Sequence, residues 1–132
     1  HLSTMNRTHL EGAAEALAAQ QGYAFHTGPE DGMAHTVRSY PAAWLAPLEL
    51  HAVEGRGHGR ATYDMTLHLL SPAERRAVLA RMEEQLLEIF AALSLDERVL
   101  AVEGLSVRPR AFALTPHGEI SQTAAARIVT FF

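Results

Sequence analysis

The clearest hydrophobic pattern in the chain has a period of two. Ala61, Tyr63, Met65, Leu67 and Leu69 alternate with Thr62, Asp64, Thr66 and His68. Successive side chains of a strand point to opposite faces, so this run predicts a long strand with one apolar and one polar face. Leu48, Leu50 and Ala52 alternate similarly just upstream, and Gly55-Arg56-Gly57-His58-Gly59-Arg60 joins the two runs. Together they predict an antiparallel hairpin with a glycine-rich tip. A second pattern has a helical period: Val78, Met82, Leu86, Ile89, Phe90 and Leu93 recur at three- and four-residue steps, with Arg75, Arg81, Glu84 and Glu88 on the other face. Ser71-Pro72-Ala73-Glu74 has the residues of a capping box with proline at the first helical position, so this helix is expected to start there and run to about Leu93.

The rest of the chain reads more locally. Thr8 and Glu11 form another capping box, and the Ala-rich stretch from Gly12 to Gln21 predicts a short amphipathic helix ending at Gly22. Tyr23 to Thr27 is expected to be a strand and Gly28 to Gly32 a turn. Ala34 to Tyr40 is expected to be extended, because Pro41 disfavours helix before it. Pro41 and Pro47 bracket a segment read as irregular or a single turn, docking Trp44 on the core. Val99 to Val102 and Val107 to Leu114 read as extended, interrupted at Glu103-Gly104; Thr115 to Gly118 is a turn and Ile120 to Phe132 a closing strand. That last strand loses strict alternation from Ala124 on, which fits either burial on both faces or cover by another subunit. The order of elements predicts an α+β fold: an antiparallel, possibly mixed, sheet with one long amphipathic helix on one face and a short N-terminal helix. His1 to Thr4 precede Met5 and read as an added leader, leaving residues 5–132 as one domain.

Composition narrows the function. With 132 residues, 48% hydrophobic and 20% charged, the chain can bury a core as one domain. A net charge of -4 argues against specific nucleic-acid binding, and the absence of cysteine excludes disulfides, thiolate metal sites and thiol catalysis. No apolar run approaches the ~20 residues of a membrane-spanning helix. The eight histidines are scattered; His51 and His68, expected to face each other across the hairpin, would supply at most half a metal site. Gly55 to Arg60 lacks the Lys-Ser/Thr of a phosphate-binding loop. Asp64 and His68 are read as solvated polar-face residues, and Glu83 and Glu84 diverge by about 100° on a helix. No catalytic, cofactor-binding or metal-binding residue is assigned, so no enzyme and no cofactor is expected. A second reading is a ligand-binding domain or enzyme with a pocket between sheet and helix, watched by Trp44, Tyr63, Asp64 and His68.

The loop and long strand from Gly55 to Leu70 run directly into Ser71-Pro72-Ala73-Glu74, after a helix and a proline-bracketed segment and before a closing hairpin. In this order of elements the chain, from Arg7 to Phe132, resembles the tail terminator (minor tail) proteins of long-tailed phages. Tyr23 to His35 has no counterpart in them, and no functional residue carries over by position. The resemblance implies a structural protein without cofactor or catalysis, forming a homo-oligomeric ring with other tail or head-neck proteins as partners. It would be cytoplasmic in the host cell during assembly and then part of the virion tail. From the residues themselves, Arg56, His58 and Arg60 at the hairpin tip and Phe131 and Phe132 at the C-terminus are the candidate subunit interface.

Overall fold

The computed structural model describes residues 2–56 and 58–132, with side chains given for 6–55 and 59–132. In chain order the elements are α1 (Leu2–Gln20), β1 (Ala24–Thr27), the single turn α2 (Met33–Thr36), β2 (Ala42–Leu45), β3 (Glu49–Arg56), β4 (His58–Pro72), α3 (Leu79–Leu93), β5 (Val99–Phe112) and β6 (Glu119–Phe131). Short 3-10 turns occupy Glu30–Gly32 and Arg76–Val78.

The alternating run forms β4, the strand around which everything is arranged. Along one edge it pairs with β6 from Arg60 to Pro72. Its other edge is shared: β3 pairs with residues 58 to 64 and β2 with residues 67 to 70. The sheet runs β1-β2-β4-β6-β5, with β3 on the free half of β4. The β1–β2 pair is parallel and every other pair antiparallel, so the fold is α+β with a mixed sheet.

The apolar face of β4 meets both long helices. Ala61, Tyr63, Met65, Leu67 and Leu69 join Ala124, Ala126 and Ile128 of β6 beneath Leu10, Ala14 and Ala18 of α1 and Met82, Leu86, Ile89, Phe90 and Leu93 of α3. A smaller cluster of Met33, Val37, Ala42, Trp44 and Leu70 covers part of the opposite face.

Tertiary contacts override several local signals. Helix α1 passes through Thr8 and begins at Leu2, because its upstream turn is tied to the sheet: Asn6 Nδ2 donates to Thr130 Oγ1 at 3.1 Å. Ser71 and Pro72 do not cap α3. They continue the β4 ladder opposite Ile120 and Glu119, and α3 begins at Leu79 after the 3-10 turn. The segment before Tyr40 is helical over Met33–Thr36, since one turn brings Met33 and Val37 together over Trp44. The proline-bracketed segment is a regular strand, buried at all four positions of β2, with the prolines just outside it. The expected break at Glu103-Gly104 is a bulge within one strand, where Gly104 takes φ 63°.

Candidate functional site

The expected interface lies where the β3–β4 hairpin leaves the cover of the helices. Cross-strand register sets Arg60 opposite Phe131, and Gly59 exchanges backbone hydrogen bonds with Phe132 (3.2 and 3.0 Å). A Cβ at Gly59 would stand 2.4 Å from the Glu54 carbonyl oxygen and 2.7 Å from the Phe132 ring, so only glycine allows this approach. The structure therefore brings Arg60, Phe131 and Phe132 together. They line an open cleft with Glu54 and Leu100. Their roles differ, because Phe132 is half-buried and packs on the main core whereas Phe131 is 43% exposed. The side chains of Arg56 and His58 lie outside the described residues, as does Gly57. On the helix side of the same arm Leu50 and Val53 are 44% and 52% exposed, while Leu100, 50% exposed, stands with Arg60 and Phe131 on the opposite face.

A second cluster, on the face away from the long helices, was not anticipated from the sequence. Register places His68 between Trp44 of β2 and Thr123 of β6. Its side chain has no solvent exposure, so it is not the solvated residue expected from its place on the polar face. His68 Nδ1 is 2.7 Å from Thr123 Oγ1, and Phe112 meets the imidazole edge-on with centroids 5.3 Å apart. The turn after β1 is held down by Trp44 Nε1 donating to the Gly28 carbonyl at 2.7 Å, which brings Glu30 over the ring. Glu30 Oε1 stands 2.9 Å from His68 Nε2 in a close contact without aligned hydrogen-bond geometry. Arg110 donates to both Glu30 oxygens, at 2.6 and 3.3 Å, and its guanidinium stacks over Phe112 at 4.5 Å.

The electrostatics follow from this packing. Burial pushes the His68 imidazole below its ordinary value, partly opposed by the Glu30 charge. The Arg110 hydrogen bond holds the Glu30 carboxyl below its ordinary range. A neutral His68 with its proton on Nε2 faces the carboxylate and accepts the Thr123 hydroxyl at Nδ1. Carboxylate, imidazole and hydroxyl thus stand in the order of a hydrolytic triad. Thr123, however, lies mid-strand between ladder partners His68 and Arg108, where its backbone amide is spent in the sheet and cannot serve an oxyanion. The cluster acts as a strap joining the β1–α2 turn to β4, β5 and β6.

The other sequence candidates do not converge. Tyr63 points into the main core and Trp44 and His68 lie under the β1–α2 segment. Asp64 stands on the open part of the sheet, 3.5 Å from His51 Nδ1 and 3.6 Å from Arg127 Nε. His51 does not face His68, because β3 pairs no further along β4 than Asp64 and β2 takes the position beside His68. Among the described residues no three His, Asp or Glu side chains are grouped to hold a metal ion, and no helix is long and apolar enough to cross a membrane.

At the far end of β4 a cavity of about 200 Å³ opens between the end of α1, Pro41, Pro72 and the start of α3. Val78, Met82 and the two prolines supply apolar lining, and Tyr23 donates a 2.5 Å hydrogen bond to Gln85 Oε1 in its wall. Burial pushes the Tyr23 phenol up to about 12. Arg75 and Arg81 stand exposed on the rim and have no carboxylate partner among the described residues. Compared with known proteins, the sequence matches no protein-family model and gives no significant match to a curated protein.

Proposed function

We propose that this chain is a structural assembly subunit of the phage tail-terminator kind, working as a homo-oligomeric ring rather than as an enzyme. One observation carries the reading: the hairpin end of the sheet carries half-exposed apolar side chains on both faces, Leu50 and Val53 on the helix side and Leu100 and Phe131 on the opposite side. Apolar side chains exposed on both faces at one end of a sheet mark an end that a partner covers. Strand pairing gives this end a fixed shape, so a neighbouring copy meets a preformed surface. In this reading the partners are further copies and other tail or head-neck proteins. The protein works in the host cytoplasm during assembly and in the virion tail afterwards, with no cofactor.

Size-exclusion chromatography with light scattering tests the reading over about 1 to 200 µM, because oligomer populations depend on protomer concentration. The expected result is growth to a closed oligomer of fixed mass. The Val53→Asp/Phe131→Ser variant is expected to stay monomeric and folded. A wild-type protein that remains monomeric throughout the range overturns the proposal.

A further inference from the structure

We infer that neighbouring copies are joined by a knob-and-cleft contact, in which Leu95 and Glu97 of one copy enter the cavity at the start of α3 of the next; this rests on the ring reading above. Leu95 is 86% exposed, far more than any other large apolar residue described, and Glu97 beside it is exposed without an ionic partner among the described residues.

The turn that carries this pair is firmly held. Leu95 N donates to the Ala92 carbonyl (3.1 Å) and Asp96 N to the Leu93 carbonyl (3.0 Å). Asp96 Oδ1 accepts the Arg98 amide at 2.9 Å, while His9 Nε2 approaches the two Asp96 oxygens at 2.7 and 2.9 Å. A leucine displayed on such a turn loses little conformational freedom on docking.

The cavity offers what this pair lacks. Its floor of Val78, Met82, Pro41 and Pro72 accommodates a branched aliphatic side chain, and Arg75 and Arg81 on the rim lack carboxylates. A carboxylate arriving beside an apolar side chain matches both features, and arginine binds carboxylates in a bidentate fork.

Position in the fold supports the same pairing. Phe131 N donates to the Arg98 carbonyl at 3.3 Å, so the Leu95 turn lies at the hairpin end of the subunit. The cavity lies at the Pro72 end of β4, a 15-residue strand about 50 Å long. Knob and cleft are different surfaces at opposite ends of one subunit. Their contact is therefore heterologous, passing from copy to copy until a ring closes.

Two variants, each leaving one half intact, test the contact: Leu95→Asp, and Arg75→Glu with Arg81→Glu. All three residues are exposed, so each variant is expected to melt as the wild-type monomer does. Leu95→Ser and Arg75→Gln/Arg81→Gln serve the same test if a charge change disturbs folding. Each variant alone is expected to need at least about tenfold more protein to assemble. An equimolar mixture is expected to form a one-to-one dimer and nothing larger, joined by the single remaining knob and cleft. If both variants assemble like wild type while Val53→Asp/Phe131→Ser does not, the contact is overturned and the ring reading stands. If wild type itself never assembles, both fall.

Discussion

His68 is stable without solvent because each ring nitrogen has a neighbour that suits a neutral imidazole: Thr123 at Nδ1 and the Glu30 carboxylate beside Nε2. Truncation to alanine leaves a cavity beneath Phe112 and leaves the Thr123 hydroxyl only the longer contact with Ser121 Oγ, at 3.2 Å. His68→Ala is expected to lower the unfolding free energy by about 2–3 kcal/mol, read from urea denaturation at pH 7.5. The same burial makes stability depend on pH. Unfolded, His68 takes up a proton below its ordinary value of 6.5; folded, it does so only at lower pH. Across that interval the unfolded state holds more protons, so stability rises with pH and is lost as pH falls below 6.5. Glu30, held below its ordinary 4.5, adds a second loss of the same sign that sets in near that value. Comparing urea midpoints for wild type and His68→Gln from pH 8 to 4 checks this: the variant is expected to lose less stability between pH 6.5 and 5. Equal slopes would mean that His68 titrates alike in both states. Nothing local in the sequence marks this cluster. Glu30 and Arg110 are 80 positions apart, and only register and the β1–α2 turn bring them to His68.

Elements with a strong period were legible, and elements made by tertiary contact were not. The alternation of β4 and the stripe from Met82 to Leu93 each reflect burial along one face, so the pattern and the structure share a cause. Strand β2 is buried on both faces and too short to show alternation, and α2 exists only because Met33 and Val37 share the cover over Trp44. Ser71-Pro72 has cap chemistry, yet β6 offers that stretch a ladder partner and the ladder wins. Glycines separate local preference from tertiary demand in the same way. Gly12 lies within α1, and a methyl group there would meet nothing within 4 Å, so Gly12→Ala is expected to stabilise the protein by roughly 0.5–1 kcal/mol. A methyl at Gly59 meets a backbone oxygen that cannot retreat without moving β3. Gly59→Ala is expected to destabilise by about 1–3 kcal/mol and to loosen Phe132. Thermal melts and the Phe132 ring signals in NMR spectra read both effects, and a neutral Gly59→Ala would show that the hairpin arm yields easily.

At the scale of the whole molecule, one strand sets the length and two helices cover only part of the sheet built on it. Both α1 and α3 pack over β4 from Ala61 onward, which leaves the β3 side of the hairpin arm apolar on a face that the helices do not close. If copies associate through the native surface, binding draws the folding equilibrium toward the native state, and thermal stability then depends on protein concentration. The melting temperature of the wild type is expected to rise steadily as concentration increases from about 1 to 100 µM, the range over which its mass in light scattering grows. The driving force per protomer increases by at most about 1.4 kcal/mol for each tenfold step, which for a domain of this size corresponds to a rise of a few degrees. Val53→Asp/Phe131→Ser is expected to remove any such association while touching only exposed side chains. Its melting temperature is expected to match that of dilute wild type and to stay constant over the same range. A wild-type melting temperature equally flat with concentration, alongside a growing mass, would mean that the copies associate as readily when unfolded, which a specific ring interface at the hairpin end does not allow.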